Sequence, residues 1–179
     1  MPITILKNRF MHVEQDDNGM VTFDRNATQH GSIVVPVTPE GKVMLISEYR
    51  VGAQAHVVSV VKGAADNMEE SYEDIARREL AEELGVECAT VTVTHCEPFA
   101  LPAFTRTRGR VCIAHWCEVT KEQNLEEGEH ISLYGVFSKA EVRIMIANGT
   151  INDSESIAAL SLWLIPVDNG VEPYQYIDQ

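Results

Sequence analysis

Alternating and continuous runs of apolar residues along the chain predict mainly β-strands. Runs at 3–13 and 20–24 flank the turn signal Asp16-Asp17-Asn18-Gly19 and predict an N-terminal hairpin. Runs at 32–37 and 42–49 predict a second hairpin around Thr38-Pro39-Glu40-Gly41. Four further strands are predicted at residues 57–61, 90–97, 110–119 and 131–137.

Three segments have helical periodicity and matching end signals. The first spans residues 71–84 and is ended by Gly85, at the C-terminal position that favours glycine. Ser138 and Glu141 form a capping box for a helix that reaches about Asn148. The last helix is predicted from about residue 153 to 164, with Asn152 as its candidate cap. Helices interspersed among hairpin-linked strands predict an α/β fold with a mixed sheet, not a doubly wound parallel one.

The segment at residues 26–31 reads as a link. We therefore expect residues 1–28 to form an N-terminal β-hairpin appendage and residues 29–179 to form the main domain.

Acidic residues of the first helix lie where apolar ones are expected. On a helical wheel, Glu79 and Glu83 fall inside the arc formed by Tyr72, Ile75, Ala76, Leu80 and Leu84, and Glu82 lies at its edge. Glu79 and Glu83 are about 6 Å apart along the axis. At an effective dielectric constant of about 20 their carboxylates repel by roughly 3 kcal/mol. A divalent cation reverses the sign of that interaction, and hard oxygen ligands suit Mg²⁺ or Mn²⁺. The alternative is a solvated acidic face, where the cost is small.

Charge and composition limit the partners. The formal net charge is -13, from 27 acidic and 14 basic residues. Such a surface repels nucleic acid, but it is compatible with a small anionic substrate where cations and a few arginines gather at one site. Cys88, Cys96, Cys112 and Cys117 lack the spacing of a zinc site and are expected to be reduced thiols. No signal peptide or membrane segment is predicted, so a cytoplasmic location is expected.

The region around the first helix resembles a known family motif. It runs from Gly63 through Glu70 to Arg78-Glu79-Leu80-Ala81-Glu82-Glu83-Leu84-Gly85-Val86. This resembles the Nudix box, G-x5-E-x7-R-E-U-x-E-E-x-G-U, with one extra residue after Gly63. The spacing to Arg78 favours Glu70 over Glu69 as the first acidic residue.

Two other segments resemble the ADP-ribose pyrophosphatase and ADP-compounds hydrolase subgroup. They are the strand end Glu48-Tyr49-Arg50 and the segment Gly149 to Leu160. The resemblance implies a Nudix α/β/α sandwich, a small nucleotide substrate, and a homodimer whose N-terminal strands help to build the partner's site. Where these pyrophosphatases commonly have E-L-x-A-G, this chain has Ser59-Val-Val-Lys-Gly63. That difference slightly favours other ADP compounds as substrates, such as NADH or diadenosine polyphosphates.

The same resemblance implies the metal centre. Glu79, Glu83 and Glu82 are then metal ligands, joined by a backbone carbonyl at Gly63. Mg²⁺ or Mn²⁺ is expected, with two or three ions per site. Arg78 orients a box glutamate through a charge-assisted pair.

The remaining roles concern catalysis and substrate binding. In the loop Asn124–Glu129 the resemblance makes Glu127 the general base and Glu129 an accessory metal ligand, although loop glutamates are often only solvated charge. Arg50, Phe104 and Arg106 are candidates to hold phosphate or to stack on a base.

Three functions remain open. The first is metal-dependent hydrolysis of ADP-ribose or a related ADP compound, releasing AMP. The second is the same chemistry on another substrate such as a nucleotide sugar, for example GDP-mannose. The third is a catalytically silent nucleotide-binding regulator, which the intact box disfavours.

Overall fold

The computed structural model describes residues 2–8, 11–25, 30–94, 105 and 108–165. The strands in this part of the chain are β1 Ile3–Lys7, β2 Met11–Gln15, β3 Val21–Arg25, β4 His30–Val37, β5 Val43–Arg50, β6 Ala55–Ser59, β7 Val61–Ala64, β8 Val86–Glu87, β9 Thr90–Val93, β10 Arg108–His115, β11 Glu118–Val119 and β12 Ile131–Phe137. The helices are α1 Tyr72–Leu84, α2 Lys139–Ala147 and α3 Ser154–Leu164.

The central sheet is mixed and has the order β12-β5-β4-β10-β9. Strands β4 and β10 are parallel, whereas the other pairs are antiparallel. Strands β4 and β5 pair only at Val37 and Val43 and then separate. The space between them is filled by β6, which pairs with β5, and by β7, which pairs with β4. Strand β7 therefore lies in the middle of the sheet, and the chain continues from its end to α1.

Helices cover both faces of this sheet. Strand residues Val34, Met44, Ile46 and Val61 pack with Ala76 and Leu80 of α1 in one apolar cluster. Their neighbours Ile33, Val35, Val43, Leu45 and Val60 pack with α2 and α3 in the other. Because successive strand residues point to opposite faces, each buried strand contributes to both clusters. The predicted α/β/α sandwich with a mixed sheet is confirmed.

Helix α1 begins and ends where the sequence predicts. Its cap is Ser71, whose side chain accepts a hydrogen bond from the N–H of Asp74 at 3.1 Å. Gly85 ends it with φ of 63°, and a β-carbon there would lie 2.0 Å from the carbonyl oxygen of Lys121. Only glycine meets both requirements, the left-handed backbone and the close approach of another segment.

The N-terminal prediction was incomplete, because the run at 3–13 is two strands. The chain turns after Asn8, whose N–H donates to the carbonyl of Met11 at 2.9 Å. The Asn8 side chain in return accepts from the Met11 N–H at 2.8 Å. Strands β1, β2 and β3 form a separate three-stranded antiparallel sheet instead of a two-stranded hairpin.

Other predicted strands are also divided. The run at 57–61 is interrupted at Val60, whose buried N–H donates to Ser156 Oγ at 3.0 Å instead of joining one ladder. The run at 110–119 is divided at Trp116, which has φ of 53°. Asp153, not Asn152, caps α3 by accepting from the Ser156 N–H. Each difference depends on a contact with a distant segment or on a local turn that apolar periodicity does not encode.

Candidate active site

Two carboxylates of α1 lie under the protein surface. Glu83 is 4% exposed, and its Oε2 has no hydrogen-bond partner. The side chain of Glu79, one turn earlier, is 13% exposed. A buried carboxylate oxygen without a donor is costly, so a folded protein retains one only where something compensates for it. The position of both residues inside the apolar arc agrees with the helical wheel.

The electrostatic surroundings favour the protonated form of both groups in the metal-free protein. Burial raises the pKa of Glu83 to about 9, and the nearby charges of Glu79, Glu48 and Glu129 add to the effect. Burial also raises the pKa of Glu79 to about 7, although the charge of Arg78 opposes this. The site therefore gathers more carboxyl groups than its surroundings can keep ionised, and a bound cation would favour their ionised form.

Arg78 joins the acidic residues of this segment to one another. Its Nε donates to Glu70 at 2.9 Å, and its Nη1 donates to Glu79 at 2.7 Å and to Glu82 at 3.1 Å. Its Nη2 donates to the carbonyl of Ala64 at 2.7 Å. Burial alone lowers the pKa of Arg78, but Glu70 and Glu79 raise it well above its ordinary value. The guanidinium is thus permanently charged and fixes three carboxylates relative to β7.

Glycine is required where β7 passes α1. A β-carbon on Gly63 would lie 1.8 Å from Oε1 of Glu79, so any side chain there displaces that carboxylate. The N–H of Ala65 donates to the carbonyl of His30, and the alternation of the ladder then pairs Gly63 with Ser32. The carbonyls on either side of Gly63 consequently point away from β4. The one at Ala64 accepts from Arg78, which leaves that of Lys62 facing outward.

The loop with one extra residue is closed by the glutamate that the spacing favours. Glu70 accepts from the N–H of Asp66 at 2.7 Å while it pairs with Arg78. The hydrogen bond from Arg78 is the main reason that the pKa of Glu70 is lowered. Glu69 is exposed. The insertion is therefore accommodated between Gly63 and Glu70 without disturbing the Arg78 contacts.

Glu48, to which no sequence motif gave a role, faces the same cluster. Glu48 follows Met44 and Ile46 at intervals of two in β5, so it lies on the face that packs against α1. Burial raises its pKa, and its own charge raises that of Glu83. Arg50 shares this face, pairs with Glu48 at 2.8 Å and lies at the rim with its side chain 38% exposed. The period of two along β5 was the signal that could have identified Glu48.

The acidic loop before β12 contributes one charge to the cluster. Glu129 is the loop glutamate whose charge raises the pKa of Glu48, Glu79 and Glu83. Its carboxylate accepts from the N–H of Glu126 at 3.0 Å, which holds the turn around Gly128. Glu127 is exposed to solvent. The loop is anchored on α1 by the N–H of Asn124, which donates to the carbonyl of Glu82 at 2.9 Å.

Lys62 faces the opposite side of the sheet from the carboxylates. Its Nζ lies 2.7 Å from Asp153 and 3.3 Å from Glu155, and its side chain is 11% exposed. Asp153 also caps α3. Lys62 therefore ties the strand beside Gly63 to the start of α3 and has its charge satisfied there.

Replacing Lys62 with methionine tests this structural role. We expect stability to fall by about 2–4 kcal/mol, because Asp153 loses its partner in a largely buried site. The KM for substrate should change less than threefold. Thermal unfolding and steady-state kinetics measure the two effects, with Lys42→Met on an exposed turn as the control. A large rise in KM with unchanged stability would instead place Lys62 in contact with the substrate.

The raised pKa of Glu83 predicts a pH dependence for the metal-free protein. The folded state keeps this proton up to about pH 9, whereas the unfolded chain releases it near its ordinary pKa of about 4.3. Folding takes up a proton between these values, so stability falls as pH rises through that window.

We expect Glu83→Gln to remove this slope. Since glutamine is neutral without having to take up a proton on folding, the variant's melting temperature at pH 8 should rise by about 4–8 °C, equivalent to about 2 kcal/mol. Thermal melts in a chelator from pH 5 to pH 9 measure both variants. If the melting temperatures of wild type and Glu83→Gln depended on pH in the same way, the raised pKa of Glu83 would be contradicted.

The residues fit a divalent cation by the chemistry of their donors. Carboxylate oxygens of Glu79, Glu82 and Glu83 and an outward carbonyl beside Gly63 are hard ligands of the kind that Mg²⁺ and Mn²⁺ prefer. Oε2 of Glu83 is one such ligand atom, and no hydrogen bond competes with a cation for it. Within the described residues, no three Asp, Glu, His or Cys side chains already stand as a coordination shell. Glu79 and Glu82 each accept a hydrogen bond from Arg78 through one of their two carboxylate oxygens.

Two predicted substrate residues, Phe104 and Arg106, lie outside the described residues. In the part of the chain that is described, no helix is both long enough and apolar enough to cross a membrane. Cys88, Cys112 and Cys117 are free thiols, as predicted, and Cys96 is not among the described residues.

Comparison with known proteins agrees with this geometry. The NUDIX domain model matches residues 28–160, well over half of the chain. A solved structure of an ADP compounds hydrolase superimposes with a TM-score of 0.72 at 22% sequence identity, covering 90% of this chain and 88% of that one. No curated protein matches the sequence significantly. Nudix hydrolases generally use divalent metal ions. The chain therefore belongs to the NUDIX domain family and is an enzyme of the Nudix pyrophosphohydrolase type.

Proposed function

We propose that this enzyme hydrolyses the pyrophosphate bond of ADP-ribose or a related ADP compound and releases AMP, with Mg²⁺ or Mn²⁺ as cofactor. The observation that carries the proposal is the buried, unpartnered carboxylate of Glu83 within the acidic cluster of α1. A cation offsets the repulsion between the carboxylates of such a cluster, and a bound cation there attracts a polyphosphate. The similarity to an ADP compounds hydrolase supports the choice of substrate.

The chain's own residues divide the work. Glu79, Glu82 and Glu83 would hold two or three ions, together with Glu129 and a carbonyl beside Gly63. When bound, the metal neutralises charge on the pyrophosphate and lowers the pKa of the attacking water. Arg78 keeps Glu79 and Glu82 in place. Arg50 at the rim is free on its exposed side to contact a phosphate.

A base must remove a proton from the attacking water, and we assign this role to Glu127. Its exposure leaves its carboxylate unengaged and able to reach substrate from the loop. Glu129 lies in the field of the buried glutamates and is better suited to ligate metal. Comparing Glu127→Gln with Glu129→Gln separates the roles: the first should lower kcat with unchanged metal affinity, and the second should raise the metal concentration needed. The opposite pattern would exchange the two assignments.

The substrate is identified by measuring AMP release from ADP-ribose, NADH, diadenosine triphosphate and GDP-mannose, with and without Mg²⁺. We expect turnover of an ADP compound that requires metal. Preference for GDP-mannose would make the substrate a nucleotide sugar and would leave the proposed pyrophosphate hydrolysis unchanged. Binding of a nucleotide without any turnover, by folded protein with metal present, would overturn the proposed activity in favour of a regulatory role.

We also propose that the enzyme acts in the cytoplasm as a homodimer built through its N-terminal residues 1–28. The N-terminal sheet exposes several large apolar side chains, Ile3, Ile5, Leu6, Met20 and Val21, at 41–65% of their surface. A row of this kind is characteristic of a covered face. Light scattering after gel filtration tests the assembly, because a mass of about 20 kDa is that of a monomer.

A further inference from the structure

A pair of cysteines lies beyond the C-terminal end of α1, away from the acidic cluster. Strands β8 and β11 pair antiparallel, with Glu87 opposite Glu118 and Val86 opposite Val119. Continuing this register by one residue places Cys88 opposite Cys117. The two thiols lie close enough for each to shift the pKa of the other, and the Cys117 thiol donates to the carbonyl of Ala114 at 3.5 Å.

The backbone pairing gives these cysteines a suitable separation for a covalent bond. The N–H of Thr120 donates to the carbonyl of Gly85 at 2.9 Å, which marks those residues as a hydrogen-bonded pair. Alternation along the ladder makes Cys88 and Cys117 a non-hydrogen-bonded pair. Such pairs have Cα atoms about 4.5 Å apart and side chains on the same face, within the range that disulfides span.

A cation lies beside one of the two sulfurs. Arg77 Nη1 is 3.4 Å from Cys88 Sγ and 2.8 Å from the Cys88 carbonyl. The neighbouring Cys117 thiol and the charge of Arg77 lower the pKa of Cys88, whereas burial and the charge of Glu73 oppose the shift. The neighbouring Cys88 thiol and burial raise the pKa of Cys117. The two thiols are therefore unlike, one being a nucleophile and the other its protonated partner.

Cys88 is also accessible. It is partly exposed and lines a surface depression of about 260 Å³, into which Glu87 and Lys121 also face. Cys117 is 2% exposed. A small oxidant can reach the first sulfur from solvent, whereas the second is reached only through the first.

We propose that Cys88 is a peroxide-reactive site and that Cys117 resolves its oxidised form to a Cys88–Cys117 disulfide. The Cys88 thiolate attacks hydrogen peroxide, forming an S–O bond and breaking the O–O bond, and the leaving hydroxide takes a proton and departs as water. Cys117 then loses its proton and attacks the sulfenic sulfur, forming the S–S bond while the hydroxyl leaves as water. The peroxide is reduced by two electrons and the thiol pair is oxidised by two.

The product would join structures on both sides of the active site. Strand β8 follows directly from α1, and β11 leads into the loop that carries Glu127 and Glu129. A disulfide between the strands therefore fixes the acidic loop more firmly to the helix, and we expect a higher melting temperature for the oxidised than for the reduced protein.

Titration of thiols in the denatured full-length protein after hydrogen peroxide treatment tests this proposal. Wild type should lose two of its four thiols and recover them with dithiothreitol. Cys88→Ser and Cys117→Ser should form no disulfide within the chain, whereas Cys96→Ser and Cys112→Ser should behave as wild type. In Cys117→Ser, a sulfenic-acid probe should label Cys88.

The contribution of the cation is tested separately. Arg77→Gln should slow thiol loss several-fold, and Arg77→Lys should restore most of the rate because the charge remains. A disulfide that persists in Cys88→Ser, or equal oxidation of all four cysteines, would overturn the proposal. Neither result depends on which nucleotide the enzyme hydrolyses.

Discussion

Replacing Glu83 with glutamine is expected to lower metal-dependent turnover by about 10³-fold, equivalent to about 4 kcal/mol in the activation barrier. Glutamine has nearly the same shape, so the packing around this buried position is retained. It removes the charge of a buried carboxylate oxygen that has no hydrogen-bond donor. The loss therefore measures the electrostatic contribution of Glu83 and not a cavity.

Steady-state kinetics at several Mg²⁺ concentrations, together with metal titration by calorimetry, provides the measurement. Glu87→Gln is the matched control, since Glu87 is an exposed glutamate just beyond the same helix. The variant should fold, because its metal-free form is expected to be the more stable. Activity above about a tenth of wild type with an unchanged requirement for metal would exclude Glu83 as a ligand.

Replacing Arg78 with alanine is expected to reduce activity by about 10- to 100-fold, the usual effect of removing a group that orients metal ligands. Stability should also fall by about 2–4 kcal/mol, because Glu70, Glu79 and Glu82 lose a common partner in a half-buried site. Both effects follow because one guanidinium donates to four groups, the three carboxylates and the carbonyl of Ala64.

Arg77 offers an unusually close control for this experiment. It is the adjacent residue, and it pairs with the exposed Glu73 at 2.9 Å and donates to the carbonyl of Cys88 at 2.8 Å, away from the acidic cluster. Arg77→Ala should lose about 1–2 kcal/mol of stability, because the Cys88 carbonyl loses this donor, and keep its activity. Equal effects of the two alanine variants would mean that Arg78 is only another surface arginine. A loss of stability with normal metal affinity at Arg78 would make its role structural alone.

Much of the fold was accessible from local sequence signals. Helix α1 was predicted to within one residue because its periodicity, its Ser71 cap and its terminal Gly85 are all encoded within the segment. The same holds for β12 and for the capping box of α2. The division of the longer strand runs was not predictable, since Val60 is diverted by Ser156, nearly a hundred residues further along the chain.

The candidate site shows the same division between local and distant information. The wheel position of Glu79 and Glu83 and the spacing to Arg78 predict an acidic cluster, because residues one turn apart on a helix necessarily lie on one side of it. Glu48 and Glu129 belong to other segments, and only the packing of β5 and the acidic loop against α1 brings their charges close.

By itself, then, the sequence determined the helix, its motif and the chemistry of its donors, since each depends on spacing within a single element. Only the tertiary structure decided that Glu83 is buried without a donor, and that Lys62 pairs with Asp153 at the start of α3. It alone brought Cys88 and Cys117 together. Burial and long-range pairing arise from how separate elements pack, and a one-dimensional pattern specifies which face of an element is apolar but not what that face meets.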